Sequence, residues 1–140
     1  MIRKGNATWS GDLQSGKGTV STQSGALSEQ PFGFNTRFED AAGTNPEELV
    51  GAAHAGCFSM AMSVGLGEAG YTADSIETEA KVHLEKDDSG FSVPKIELVT
   101  KAKIPDISDE EFQKIAAATK EGCPISKLMN AEVTLDASLV

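Results

Sequence analysis

The chain has 140 residues, a formal net charge of −9 and 39% apolar side chains, which predicts a single domain over residues 1–140. This acidity argues against nucleic acid or an anionic membrane as a partner. No cationic segment followed by an apolar run opens the sequence, so we expect no secretory signal and a cytoplasmic location. In that compartment cysteines stay reduced, unless they serve redox chemistry.

Glycine-punctuated segments rich in strand-forming residues occupy the first forty positions. Residues 7–9, 18–22 and 32–38 predict an antiparallel meander. In the third segment phenylalanine recurs at positions 32, 34 and 38, which predicts one aromatic strand face. Arg37 is then expected on the opposite, polar face.

A long helix is predicted over residues 45–70, with Asn45 as its cap and Gly70 as a left-handed stop. No side chain from position 49 to 67 carries a fixed charge, so we expect this helix to be buried on most sides. Its glycines and its flanking glutamates favour a core helix over a membrane span. Small residues at Gly51, Ala52, Ala55 and Gly56 predict that the helices of two copies cross in a tight homodimer.

The second half of the chain predicts a hairpin, an amphipathic helix and a last strand. Residues 76–85 alternate apolar and polar side chains, and residues 91–104 return as the partner strand, with a bulge or edge position expected at Pro94. Ser108 caps a helix that ends at Gly122 and buries Phe112, Ile115, Ala116 and Thr119. A helical turn over 123–129 and a strand over 131–139 complete an α+β domain with a mainly antiparallel sheet.

The two cysteines allow a structural and a chemical interpretation. Buried free cysteine is a common small core residue, so both thiols could be inert. Cys123, however, lies between a helix-ending glycine and a helix-starting proline, where backbone N–H groups would stabilise a thiolate. Local electrostatics alone therefore favour Cys123 as the nucleophile. Cys57 lies far from its helix N-terminus and needs a cation, for which Arg37 is the best candidate.

Three blocks of sequence carry a family resemblance: FGFNTRFE (32–39), GTNPEELVGAAHAGCFSMAMS (43–63) and GCPISKLMNAEVTLD (122–136). They closely resemble the OsmC branch of the OsmC/Ohr thiol peroxidases, and the opening and final strands are similar as well. The resemblance implies the OsmC-like fold, with mainly antiparallel sheets wrapped around a long buried helix in an intertwined homodimer. It also implies reduction of organic hydroperoxides without any cofactor or metal.

By the same resemblance, Cys57 is the peroxidatic cysteine, Cys123 the resolving cysteine, Arg37 the activating arginine and Glu47 its carboxylate partner. Cys57 would become a sulfenic acid and condense with Cys123, and a dithiol or lipoyl-type reductant would reopen the disulfide. Glu47 precedes Cys57 by ten residues, roughly 15 Å along one helix. If both serve one site, Glu47 must act on the partner subunit's Cys57.

Other readings of the same residues stay open. His54, one turn before Cys57, could be a base or a metal ligand, although a satisfied core histidine is the favoured interpretation. His83 is expected to be solvated, and no compact ligand spacing supports a zinc site. The aromatic and methionine side chains could line a channel for alkyl or fatty-acid hydroperoxides. The rival function is a non-enzymatic thiol redox sensor, or a dimer that binds apolar ligands.

Overall fold

Six strands and four helices follow one another in the computed structural model, which describes residues 1–140. The backbone divides into two compact units, residues 1–49 and residues 50–140, and the expectation of a single domain stays a prediction. The elements are β1 (Gly5–Ser10), β2 (Lys17–Thr22), β3 (Gln30–Phe32), α1 (Phe34–Phe38), α2 (Pro46–Glu68), β4 (Ser75–Asp87), β5 (Gly90–Lys103), α3 (Asp109–Gly122), α4 (Pro124–Leu128) and β6 (Glu132–Leu139).

The first unit contains a three-stranded antiparallel sheet in the order β1-β2-β3. The first two predicted strands are confirmed, but the strand expected over residues 32–38 is wrong. Of these seven residues only Phe32 belongs to a strand, β3. Helix α1 follows, and its first turn is stabilised by the Gly33 N–H, which donates to the Thr36 hydroxyl at 2.9 Å. Phe34 and Phe38 then lie one turn apart, with ring centroids separated by 4.9 Å.

The long helix α2 starts and ends where the sequence predicts. The Asn45 side chain accepts the Glu48 N–H at 2.9 Å, and Gly70 has a φ of +87° just beyond the last turn. Within the single chain only one stripe is covered, so the predicted burial on most sides depends on a second copy of the chain and stays a prediction. That stripe consists of Gly51, His54, Phe58, Met62 and Leu66, at spacings of three and four residues.

The opposite side of α2 is an exposed apolar surface, which we call the α2 face. It contains Ala53, Gly56, Met60, Val64 and Gly67, again at helical spacing. Met60 is 70% and Val64 59% exposed. Gly51 does not belong to this face, since a Cβ there would lie 3.0 Å from the Ala80 carbonyl oxygen. Gly51 therefore permits a close approach within the chain, unlike its expected role in helix crossing.

By length and composition alone, α2 could also cross a membrane. Its most apolar window has a mean hydropathy of 1.5, and 28% of that window is buried within the chain. A core helix of a water-soluble domain can meet the same test, so the pattern is weak support for a membrane span.

The second unit contains a sheet in the order β4-β5-β6. Strands β4 and β5 form the predicted hairpin, and the register shifts where His83 pairs with Lys95 but Glu85 pairs with Ser92. Pro94 lies in this irregularity, as predicted, because proline cannot donate to the ladder. Strand β6 pairs with β5 in parallel, so the mainly antiparallel architecture has one parallel pair.

Helix α3 packs against the buried stripe of α2 and against this sheet. The Ser108 side chain accepts the Glu111 N–H at 3.2 Å, and the four predicted buried positions of α3 are confirmed. The core of the unit joins residues of α2, β5 and α3, and its largest members are fully buried: Phe58, Phe112, Met62, Leu66 and Leu98. Burial of each such side chain stabilises the folded state by roughly 1.5–3 kcal/mol. This packing holds α2 and the α3–α4 junction in place relative to each other.

Candidate active site

The two thiols meet inside the second unit. Cys57 lies in the middle of α2, and Cys123 is the residue between α3 and α4. Their sulfurs are hydrogen-bonded at 3.3 Å, and both cysteines are free. The fold thus brings together two residues that are 66 positions apart in the sequence. A disulfide has an S–S length of about 2.05 Å, so bond formation requires the two sulfurs to move closer together.

Exposure distinguishes the two sulfur-bearing residues. Cys123 is 0% exposed, whereas Cys57 is only partly buried. A reactant arriving from solvent can therefore contact Cys57 and not Cys123. This geometry favours Cys57 as the residue that meets an external substrate, and it leaves Cys123 to react with Cys57.

The pKa values of the two thiols favour Cys123, not Cys57, as the more acidic group. Burial raises the pKa of Cys57, and the neighbouring Cys123 raises it further, against one backbone hydrogen bond from Ile125. Burial also acts to raise the pKa of Cys123, but hydrogen bonds from Ser126, Cys57 and Ile125 outweigh it and lower that pKa overall. Within one chain Cys123 is the better thiolate, as its local sequence indicates. Cys57 needs a further positive charge to become one.

His54 is fully buried beside this pair, and its partner is Ser126 of α4. The His54 Nε2 lies 2.8 Å from the Ser126 Oγ, while the His54 Nδ1 has no hydrogen-bond partner. Burial lowers the pKa of His54, so the ring is neutral near neutral pH. The expectation of a fully satisfied core histidine is therefore wrong for one ring nitrogen. Sequence reasoning missed Ser126, since no spacing links it to a histidine 72 residues away.

The first unit holds the predicted ion pair. The Arg37 Nε lies 3.2 and 3.1 Å from the two carboxylate oxygens of Glu47, and the Arg37 Nη2 lies 2.5 Å from Oε1. This is a bidentate interaction of a planar guanidinium with a carboxylate, which the single ammonium group of a lysine could not make. Both residues belong to the same chain. Arg37 is on α1 rather than on a strand, and its guanidinium lies 5.4 Å from the centre of the Phe38 ring.

An aromatic cavity of about 240 Å³ adjoins this ion pair within the first unit. Trp9 and Phe32 form one wall, with ring centroids 5.4 Å apart. The lining is mostly apolar, and Arg37 supplies its charged group; the main contributors are Trp9, Leu13, Phe32, Phe34, Arg37 and Phe38. Such a cavity suits an apolar ligand that carries a polar or anionic end.

No group of three or more histidine, cysteine, aspartate or glutamate side chains is arranged to hold a metal ion. His83 lies on β4, with its Nε2 3.3 Å from a carboxylate oxygen of Glu97, so it is not simply solvated as expected. Neither histidine adds a ligand to the cysteine pair in this arrangement.

Comparison with known proteins identifies the family of this chain. The profile of the family described as OsmC-like protein matches residues 39–138, a range that includes Glu47, Cys57 and Cys123. The chain belongs to the OsmC-like family. It is 56% identical over 137 residues to peroxiredoxin OsmC of Escherichia coli, covering 98% of this chain and 96% of that protein. The predicted membership is confirmed.

More distant members of the family agree. The chain is 34% identical over 124 residues to the organic hydroperoxide resistance protein OhrB of Bacillus subtilis, covering 87% of this chain and 88% of that protein. A crystal structure of OhrB from Bacillus subtilis superposes with a TM-score of 0.69 at 28% identity, over 98% of both chains. The predicted α+β OsmC-like fold is thus confirmed.

Proposed function

We propose that this protein is a thiol-dependent peroxidase that reduces organic hydroperoxides to alcohols, with Cys57 as the peroxidatic and Cys123 as the resolving cysteine. The observation that carries this proposal is the 3.3 Å contact between the sulfur of a partly exposed cysteine, Cys57, and the sulfur of a fully buried one, Cys123. Two relatives support the same activity: the Escherichia coli protein is named a peroxiredoxin, and the Bacillus subtilis protein is named an organic hydroperoxide resistance protein.

The reaction is a two-step oxidation of the thiol pair. The Cys57 thiolate attacks one peroxide oxygen, the O–O bond breaks, and the alkoxide takes a proton to leave as an alcohol. Cys57 is now a sulfenic acid. Cys123 then forms an S–S bond with it, and the S–O bond breaks to release water. A dithiol or lipoyl-type reductant reopens the disulfide by thiol exchange, which is a reason to place the protein in the cytoplasm.

Activation of Cys57 requires a cation, and Arg37 held by Glu47 is the proposed source. Glu47 and Cys57 are ten residues apart on α2, about 15 Å along the axis. We therefore assign the Arg37–Glu47 pair of one chain to the partner subunit's Cys57 in a homodimer. The exposed α2 face supports a dimer, since apolar helix surface of this kind is normally covered. The aromatic cavity would then bind the alkyl group of the hydroperoxide.

Steady-state turnover tests the activity. Cumene or tert-butyl hydroperoxide should be consumed over many cycles with dihydrolipoamide as reductant, and Cys57→Ser should abolish consumption. Oxidation that stops after one equivalent per chain would instead identify a thiol redox sensor. Turnover that survives Cys57→Ser would contradict the assignment of the nucleophile.

Mixed dimers test the shared site. Cys57→Ser and Arg37→Ala chains are each expected to be almost inactive alone. Co-refolded in equal amounts, they should recover about a quarter of wild-type activity, because half of the dimers are mixed and each mixed dimer has one complete site. No recovery, in samples shown to contain mixed dimers, would place Arg37 and Cys57 of the same chain in one site.

A further inference from the structure

A glycine lies beneath the aromatic wall of the cavity in the first unit. Trp9 of β1, Gly18 of β2 and Phe32 of β3 are cross-strand partners and form one row across the sheet. The backbones of β1 and β3 are roughly 10 Å apart, yet the Trp9 and Phe32 ring centroids are separated by 5.4 Å, so the two rings lean together above Gly18. Both rings line the cavity, whereas Gly18 is buried and does not. The rings therefore lie between Gly18 and the cavity.

The approach of the two rings explains why position 18 has no side chain. A Cβ added to Gly18 would lie 2.5 Å from the Phe32 Cζ and 2.8 Å from the Trp9 Cε3. Carbon atoms in contact are normally about 3.5–4.0 Å apart, so a ring edge would have to move by about 1 Å. The backbone does not require glycine, because Gly18 lies in a regular strand and is not among the glycines with positive φ.

The volume of the cavity indicates which organic groups it can hold. A dry apolar cavity of about 150 Å³ is large enough to bind benzene. The aromatic cavity measures about 240 Å³, so it can hold a phenyl ring and a few more carbon atoms, as in a cumyl group. A wall that moves inward by about 1 Å would remove part of this space.

We propose that Gly18 is a specificity-determining residue for peroxide reduction: it lets the Trp9 and Phe32 rings lie close to the sheet and so keeps the cavity wide enough for an aryl-substituted organic group. The assignment rests on the proposed peroxidase function. A side chain at position 18 pushes the two rings away from β2 and into the cavity. Hydroperoxides with a small organic group are then tolerated better than aryl hydroperoxides.

Ligand binding tests the width of the cavity without reference to turnover. Trp9 is the single tryptophan of the chain, so protein fluorescence reports on the cavity wall. The probe is 2-phenyl-2-propanol, the alcohol that cumene hydroperoxide yields, and it should change the wild-type fluorescence in a saturable manner. Its Kd should rise about tenfold in Gly18→Ala, because a misfit of one methylene group in an apolar pocket has at least this effect. No saturable change in wild type, or an unchanged Kd in folded Gly18→Ala, would overturn the proposal.

A matched control comes from the neighbouring strand. Gly5 is in β1 of the same sheet, and the nearest atom to an added Cβ would be the Ser21 carbonyl oxygen at 3.9 Å. Gly5→Ala therefore has room for its methyl group, and its titration should match that of wild type. A Kd for Gly5→Ala raised as much as that of Gly18→Ala would show a general effect on the sheet and contradict the assignment.

Kinetics with three peroxides measure the specificity itself. The ratio of kcat/KM for cumene hydroperoxide to kcat/KM for tert-butyl hydroperoxide should fall about tenfold in Gly18→Ala. The value for hydrogen peroxide, which has no organic group, should stay near wild type. An equal loss with all three peroxides would show a merely structural effect and overturn the proposal. If wild type turns over none of them, the peroxidase function is refuted, whereas the fluorescence titration still reports on Gly18.

Shortening Phe32 tests the same wall from the other side. Phe32→Leu lacks the ring atoms that lie nearest to position 18, so in this background Gly18→Ala should change the kcat/KM ratio by less than about threefold. If Gly18→Ala does not fold, Phe32→Leu alone is measured. Its wider cavity should raise kcat/KM for p-diisopropylbenzene monohydroperoxide, relative to that for cumene hydroperoxide, about tenfold. An unchanged ratio would contradict a role of this wall in specificity.

Discussion

Replacing Glu47 by glutamine isolates the contribution of the carboxylate to peroxide reduction. The side chain keeps its shape, but the negative charge is lost, and an amide nitrogen that cannot accept a hydrogen bond takes the place of one oxygen. In the wild-type chain the Arg37 guanidinium makes three N···O contacts with Glu47, between 2.5 and 3.2 Å. The variant keeps at most the contacts to one oxygen, so the guanidinium is no longer held in one orientation.

The size of the effect follows from these contacts. A hydrogen bond to a charged group contributes about 1.5–3 kcal/mol, and a neutral one about 0.5–1.5 kcal/mol. Arg37 is 34% exposed and Glu47 14%, so solvent screening removes part of this difference. We expect a net loss of about 1–2 kcal/mol of transition-state stabilisation, which corresponds to a decrease in kcat/KM of roughly 5–30-fold.

The assay is kcat/KM for cumene hydroperoxide, together with the rate of Cys57 oxidation by one equivalent of the same compound. Glu48→Gln is the matched control, because Glu48 lies in the same first turn of α2 but accepts from the Thr44 hydroxyl at 2.5 Å instead of from Arg37. Loss of charge near the helix N-terminus is then common to both variants. A Glu47→Gln enzyme within twofold of Glu48→Gln would refute a role of the carboxylate in orienting Arg37.

Three further predictions concern the resolving thiol, the core and an exposed loop. In Cys123→Ser the Cys57 sulfenic acid should persist after peroxide treatment and be trapped by dimedone, and mass spectra showing no more adduct than in wild type would exclude Cys123 as the resolving residue. Phe58→Ala should lower the free energy of unfolding in urea by about 3–5 kcal/mol, because Phe58 is 0% exposed, and a loss below about 1 kcal/mol would contradict its place in the core. Hydrogen bonds from the Ser15 hydroxyl and backbone lower the pKa of Asp12. The folded-state pKa thus lies below the unfolded value, so Asp12 stabilises the fold above about pH 4 and loses this effect as the pH falls further. The stability difference between wild type and Asp12→Asn should vanish in acid, and a difference that is constant with pH would exclude this linkage.

Elements with a long, unambiguous period could be predicted from the sequence. Helix α2 has a cap, a charge-free body and a stop signal, and the 13 residues of β4 alternate without interruption over most of their length. The strand prediction for residues 32–38 was wrong because phenylalanines at even positions fit the two-residue period of a strand. A helix of five residues is too short to show the helical period of 3.6. The decisive contact is the hydroxyl of Thr36 on the Gly33 N–H, which no hydrophobic pattern reveals.

The residues of the candidate site were proposed from sequence blocks shared with a family, and their roles stay predictions. The contacts between them were less so, because a pattern of side chains does not specify distances between segments. The pairing of β6 with β5 illustrates this, since alternation indicates a strand but not its neighbour or its direction. The His54–Ser126 contact likewise depends on how α4 packs on α2, which no local signal encodes. A charge-free helix surface does not specify which molecule covers it, so the predicted cover of α2 by a second copy stays a prediction.

Strand β6 also covers an edge of β5 that could otherwise pair with another chain. It is the last element of the chain, and its Cα partners run from Glu132 opposite Lys95 to Leu139 opposite Ala102. Before β6 is synthesised, β5 has one edge with unpaired N–H and C=O groups, and its alternate residues Ile96, Leu98 and Ala102 are apolar. An unpaired edge of this kind templates association with other chains. We therefore expect a chain truncated before Glu132 to associate with other chains through this edge, although it contains both cysteines.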